Sequence, residues 1–345
     1  MIYNSQEMKT ASTKYPLLAG IGLASALSIL CGPSVGAGVP ANTVIDVIGG
    51  FNRPIGITVS SNSKSVYILS QNQNALYVVD AATDAVIAND IFAGDTPFFL
   101  ALTPNGKTLY ISDLSTASLS VLDVNTLTLE SPITGVGSGP IGIAVSPNGK
   151  LIYTTNIVAN TVTVYDIATR KVLTAIPVGN QPAAVAFTPN GKTAYVTNLG
   201  DATVSVIDVK TGTVIGSPIP VGTAPAGIVI TPDGKKAYTL NGPNTSVIDT
   251  KTNLVTGTIS VGNPQNGFPA VTPDGQYVYV PVPNASNPTS QPGTIVLIST
   301  DTDTVVGTPI TVGLDPVVVA IAPDEKRAYV SNFTGGTVWV IAIDK

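Results

Sequence analysis

The chain has 345 residues, 44% hydrophobic and only 11% charged, with 33 Gly, 27 Pro and a formal charge of minus five. Many short strands joined by tight turns fit that composition; a helical protein would carry far more Glu, Lys and Leu. There is no histidine, and the single cysteine is Cys31, which excludes the Ser-His-Asp triad, His-ligated haem and nearly all zinc and copper sites.

At the N-terminus, Lys9 and Lys14 precede an apolar run from Leu17 to Leu30 and then small residues, the order of a secretory signal peptide. Residues 1–37 are expected to be that peptide, cleaved after Ala37, so that the protein is exported to the periplasm, the cell surface or the medium. The run of 14 residues is broken by Gly20 and Gly22 and is shorter than the roughly 20 apolar residues of a membrane span. No integral membrane segment is expected after cleavage. Ser28 and Leu30 stand where a lipoprotein signal wants an aliphatic and a small residue, which favours cleavage over lipid attachment at Cys31. Removing the leader takes away the only cysteine, and with it disulfide and thiolate chemistry.

From Pro54 onward one pattern recurs. Its clearest copy is PAAVAFTPNGKTAYVTNLGDATVSVIDVKTGTVIGSPIPVG, starting at Pro182. The first residue returns at Pro54, Pro97, Pro140, Pro182, Pro225, Asn266 and Pro316, with spacings of 43, 43, 42, 43, 41 and 50. Each copy reads as four strands. The first is apolar, the second carries a tyrosine, the third alternates as in TVSVID, and the fourth ends in Val-Gly. Pro-Asn-Gly or Pro-Asp-Gly joins the first two strands and predicts glycine at positive φ in a tight hairpin. Asp followed three residues later by Thr, as in Asp208 and Thr211, marks the turn from strand three to strand four.

The two ends complement each other. The 30 residues from Pro316 to Lys345 hold three strands, and the 12 from Asn42 to Arg53 read as an isolated fourth; together they make one period of 42. The expected fold is therefore an all-β, seven-bladed β-propeller of four-stranded antiparallel blades over residues 42–345. Its last blade is closed by the N-terminal strand, which leaves no open sheet edge in the ring.

Tyr153-Thr-Thr-Asn156, Tyr195-Val-Thr-Asn198 and Tyr329-Val-Ser-Asn332 resemble the YVTN β-propeller repeat family, which includes YncE-like and archaeal surface-layer propellers. The resemblance covers all seven repeats and implies the fold. The Asn position is degenerate, being Ser70, Asp113 and Val282 in the first, second and sixth repeats. The tyrosines Tyr67, Tyr110, Tyr153, Tyr195, Tyr238, Tyr279 and Tyr329 recur once per blade and are expected to pack with a hydrogen-bonded hydroxyl.

The seven first strands contain no charged residue between anchor and turn, so they build core. Small residues at Gly56, Gly142, Ala184 and Gly227 suit blades that converge near an axis. Charges occur just before three anchors, at Arg53, Asp95 and Asp315, and Asp113 is expected on the same rim; these four form the candidate ligand-binding cluster, with solvated loop charges or a calcium or small polar ligand site as the alternatives. The sixth repeat is longer because of Pro281-Val-Pro-Asn-Ala-Ser-Asn-Pro-Thr-Ser-Gln-Pro-Gly293. Its Asn284, Asn287 and Gln291 are candidate partner contacts on a proline-stiffened loop. Asn244, Asn284 and Asn332 begin Asn-X-Ser/Thr sequences, and all three are expected in loops from strand two to strand three.

No catalytic residue, metal or cofactor is expected. The mature chain is acidic, which disfavours nucleic acid. The favoured function is non-catalytic binding of a protein, peptide or glycan at the channel-mouth face, outside the cytoplasm. A lactonase-type hydrolase, or a subunit of an exported redox enzyme, is the alternative that related propellers imply.

Overall fold

The computed structural model describes residues 42–265, 267–284 and 286–343. The expected leader with Cys31, and the sixth anchor Asn266, lie outside the described residues. Seven antiparallel sheets succeed one another along the chain. Blade three shows the unit simply: Pro140–Val145, Leu151–Asn156, Thr161–Asp166 and Lys171–Pro177 pair in that order. First strands of successive blades touch around a closed ring, blade seven against blade one included. Fourth strands form the exposed circumference, as at Val86–Phe92 and Lys171–Pro177. In blade seven, Pro316–Ile321, Arg327–Asn332 and Thr337–Ala342 are completed by Thr43–Ile48, which lies antiparallel on the last of them with Val47 opposite Trp339. The chain therefore forms the expected propeller, with its last blade shared between the two ends.

The turns follow the chemistry of their residues. Gly106, Gly149, Gly191, Gly234 and Gly275 take φ between 67 and 76° in the hairpins from strand one to strand two, as Pro-Asn/Asp-Gly predicts. At the turns from strand three to strand four, Asp80, Asp123, Asp166, Asp208 and Asp249 each accept hydrogen bonds from the backbone N–H and the hydroxyl of the Thr three residues on. Three departures have local causes. The fourth strands of blades two and four are split, into Thr128–Leu129 with Ile133–Thr134 and Thr213–Val214 with Ile219–Pro220. Pro132 and Pro218 lie between the pieces and have no N–H to give to a ladder. In blade five, strands two and three run continuously through Lys236–Asp249. In blade six the first strand pairs with its own blade only over Ala270–Val271. Pro269 lacks a donor there, and Phe268 bonds instead to blade seven, donating to the Val317 carbonyl and accepting from the Val319 N–H.

The tyrosine, the hydroxyl residue and the Asn of the repeated Tyr-Val-Thr-Asn have separate mechanical roles. Its hydroxyl residue stands where the ladder between strands one and two shifts register, as between Pro140 and Ile143. Thr155 accepts there from the Gly142 N–H and donates across to the Ala183 carbonyl of the next blade. Ser112, Thr197 and Ser331 repeat the link to Ile141, Ala226 and Ile55, the last of these closing the ring. A Cβ at Gly142 would come within 2.3 Å of the Ala183 carbonyl oxygen, so the approach of neighbouring first strands requires glycine at this position.

The tyrosine makes a second link to the next blade, to the left-handed residue at its turn from strand three to strand four. Tyr195 donates to Asn253 Oδ1 at 2.6 Å and Tyr238 to Asp303 Oδ1 at 2.5 Å. At the seam, where that turn is absent, Tyr279 donates to Asn42 Oδ1 at 2.8 Å.

Candidate binding face at the channel mouth

At the axis two phenylalanines meet. Phe99 and Phe268 both lie two residues beyond their anchors, the position held by Gly56, Gly142 and Gly227 in three other blades. They belong to blades two and six, which are not neighbours, yet their ring centroids are 4.2 Å apart. The two rings therefore meet across the middle of the ring, with Phe98 edge-on to Phe99 at 5.1 Å. This pairing was not foreseen from the sequence. Its signal was present as two phenylalanines at a repeat position that holds Gly or Ala in four of the other five blades.

Around these two rings, the mouth is formed by the loops from strand two to strand three and from strand four to the next strand one. The Asn of the motif is buried and ties its own turn: Asn156 Nδ2 donates to Thr161 and Thr163, and Asn198 Nδ2 to Thr203 and Ser205. The Val-Gly that ends strand four lies over it, because a Cβ at Gly137 or Gly179 would meet the Asn156 or Asn198 amide at 2.6 Å. Asp113 takes the same position in blade two. It is 2% exposed, and its carboxylate accepts from the backbone N–H groups of Asp95, Thr96, Ser115 and Thr116. Those donors satisfy the charge, so Asp113 holds the two loops together instead of facing a ligand.

Arg53 and Asp315 both lie at the seam of blades seven and one, near enough for the Arg53 charge to act on the Asp315 carboxyl but, among the described residues, without an ion pair between them. Both have positive φ, 58 and 59°. The Arg53 guanidinium lies over the Phe333 ring at 5.2 Å. Burial pushes the Asp315 carboxyl above the usual carboxylate range, opposed by the Thr334 hydroxyl, which donates to it at 2.9 Å, and by the Arg53 charge. Asp95 is exposed and, among the described residues, forms no ion pair with Arg53. The four candidates therefore divide into Arg53 on Phe333 beside Asp315 on Thr334 at the seam, and a structural Asp113 beneath an exposed Asp95. A further rim group was missed: Asp201 accepts from the Asn180 N–H and side-chain amide at 2.7 Å, which holds its carboxyl below the usual range. Asp201 lies in a loop that looks merely polar in sequence.

In the sixth blade, Pro281 lies within the strand Tyr277–Val282 and Pro292 starts the strand Pro292–Ser299, so Pro283 and Pro288 alone stiffen the loop itself. Asn284 Oδ1 accepts from the Ser286 and Asn287 N–H groups, and the Asn287 carbonyl from those of Ser290 and Gln291. The loop is thus held in a defined shape while Asn287 and Gln291 remain exposed. Of the three Asn-X-Ser/Thr sites, only Asn284 lies in a loop. Asn244 is within a strand and Asn332 is completely buried at the end of one. Among the described residues no three acidic, His or Cys side chains converge to hold a metal ion.

The family model described as "Lactonase, 7-bladed beta-propeller" matches residues 55–261, more than half of the chain. A solved chain titled Kuenenia stuttgartiensis hydrazine synthase superposes with a TM-score of 0.74 at 24% identity, covering 90% of this chain and 99% of its own length. At that identity the likeness is one of fold. No curated protein matches the sequence.

Proposed function

This chain belongs to the seven-bladed β-propeller lactonase family, and from that premise we propose that it is an exported binding protein which engages a protein, peptide or glycan at the channel mouth without transforming it. The observation that carries this reading is the contact of Phe99 with Phe268. A propeller that works on a small substrate at its axis needs polar groups converging there. Here two aromatic rings meet at the axis, Asp113 is occupied by four backbone donors, and Asp201 is engaged by the N–H and side-chain amide of Asn180. What faces outward is a rim of polar loops with one shaped extension at Pro283–Gln291. An ordered loop loses less entropy on binding than a slack one of equal length.

The leader-like N-terminus supports export. Sequencing the N-terminus of protein recovered from outside the cytoplasm should give Gly38 as first residue.

Binding is tested by screening the exported protein on peptide and glycan arrays, beside a variant in which residues 284–291 are shortened to the length of the other blades. The variant should fold normally and lose at least tenfold in affinity for the best array ligand. Full retention would assign recognition elsewhere. A lactonase-type hydrolase is the second reading, favoured by the family itself and by Arg53 and Asp315 at the seam.

A further inference from the structure

Every lysine among the described residues lies in or beside a turn from strand one to strand two or from strand three to strand four, on the face opposite the mouth. The strand one to two turns are the inner set and touch one another around the axis. Pro104 lies against Gly149, Pro147 against Gly191 and Pro189 against Gly234, while the Asp324 N–H donates to Ser63 Oγ across the seam. Each of these turns has the same register: an Asn or Asp side chain accepts from the N–H two residues on, and that next residue is lysine in every blade but the sixth, where it is Gln276.

The ring is not uniform in charge. In blades one to four the turn residue is neutral, Asn62, Asn105, Asn148 or Asn190, followed by Lys64, Lys107, Lys150 or Lys192. In blades five to seven it is Asp233, Asp274 or Asp324. Lys235 pairs with Asp233 at 3.1 Å, whereas Lys64, Lys107, Lys150 and Lys192 have no ion pair among the described residues. The acids in the outer turns of the same blades, Asp80, Asp123, Asp166 and Asp208, accept hydrogen bonds from their own backbone and threonine donors, and Asp324 lies beside Ser63 at one end of the arc.

We propose that the arc of Lys64, Lys107, Lys150 and Lys192 is a second interaction surface, on the face opposite the mouth, and that it binds an acidic polysaccharide. Lysine presents a point charge on a flexible stem, not the planar fork that selects one carboxylate or phosphate. One such charge per blade, on turns that abut, suits a chain of regularly repeated anions. No aromatic residue occurs in these four turns, so the surface lacks the stacking platform on which single-stranded nucleic acid depends. Electrostatic association of this kind weakens steeply with salt.

The test is titration of the exported protein with polygalacturonate in about 20 mM and about 150 mM salt. Binding should be measurable at the lower salt and at least tenfold weaker at the higher. The quadruple variant Lys64→Gln, Lys107→Gln, Lys150→Gln, Lys192→Gln should keep the wild-type melting temperature and bind at least tenfold more weakly. Lys235→Gln with Lys251→Gln should bind as wild type, as should the loop-shortened mouth variant, which separates this surface from the one at the mouth. Absence of binding at low salt, equal binding by the quadruple variant, or tighter binding of single-stranded DNA than of polygalacturonate would overturn the proposal.

Discussion

At the scale of single residues, the tyrosine of each blade shows how a repeat tolerates decay and what that costs. Burial pushes the Tyr153 and Tyr195 hydroxyls up to about 12, so both stay protonated and need acceptors. Tyr195 has one in Asn253. Tyr153 does not, because the equivalent turn residue in the next blade is Gly212, at φ 65°, and the Tyr153 hydroxyl is left buried without a partner. Asn is among the few residues that accept the left-handed conformation, and a Cβ at Gly212 would meet nothing nearer than 4.0 Å. Gly212→Asn is therefore expected to stabilise the protein by about 1 kcal/mol, and Asn253→Gly to destabilise it by about 1–2 kcal/mol. Chemical denaturation of the two variants checks both signs. The buried tyrosine was legible in the sequence, but the expected hydrogen bond fails at Tyr153 and Tyr329, and where it forms, as from Tyr195 to Asn253, the partner lies one blade and more than 50 residues away.

At the scale of elements, the sequence revealed most where local chemistry and repeat period agree. Pro-Asn/Asp-Gly, Asp-x-x-Thr and Val-Gly each specify a turn within a few residues, and five of each in register define blades without knowledge of the whole. The complement of a three-strand end by a one-strand beginning then implied closure. What stayed hidden were features set by contacts between blades: the split fourth strands around Pro132 and Pro218, the transfer of Phe268 from its own blade to the next, and the burial of Asp113. Asp113 looked like a rim charge because its position is polar in every well-kept repeat; only the converging N–H groups of two loops show that the polarity serves the fold.

The closing strand carries a testable energy. Deleting Asn42–Gly50 exposes Thr337–Ala342 and removes the Asn42 acceptor from Tyr279. Loss of one blade-completing strand should lower the melting temperature by 10 °C or more, on the order of several kcal/mol of burial and pairing. An unchanged transition would mean that the ring does not depend on its N-terminal strand.

At the scale of the whole molecule, acidity should act through the turns. Asp80, Asp123, Asp166, Asp208 and Asp249 are held below the usual carboxylate range, first by the N–H of the threonine three residues on, and Asp233 is brought down to about 2, first by the Thr231 hydroxyl. A carboxyl lowered by folding contributes stability that is fully present above its unfolded value, near 3.9, and is lost as pH falls through the folded value. Asp84 and Asp315 act in the opposite sense, because burial raises both. With Asp201, which is also lowered, seven carboxyls outnumber the two raised ones. The melting temperature should therefore stay level from pH 7 to about 5 and fall between about 4 and 2. A maximum near pH 3 would mean that the buried pair dominates.

Scale also decides function. The meeting of two phenylalanines from non-neighbouring blades cannot be seen in any one blade, and the proposal of binding without chemistry rests on it. The most direct measurement is the hydrolysis of a panel of δ- and γ-lactones by the purified protein, followed by pH-stat. Turnover indistinguishable from the uncatalysed rate is predicted for the wild-type chain. Turnover above that rate, abolished by Arg53→Ala or Asp315→Ala in protein that still melts as wild type, would contradict the account and make these rim residues catalytic.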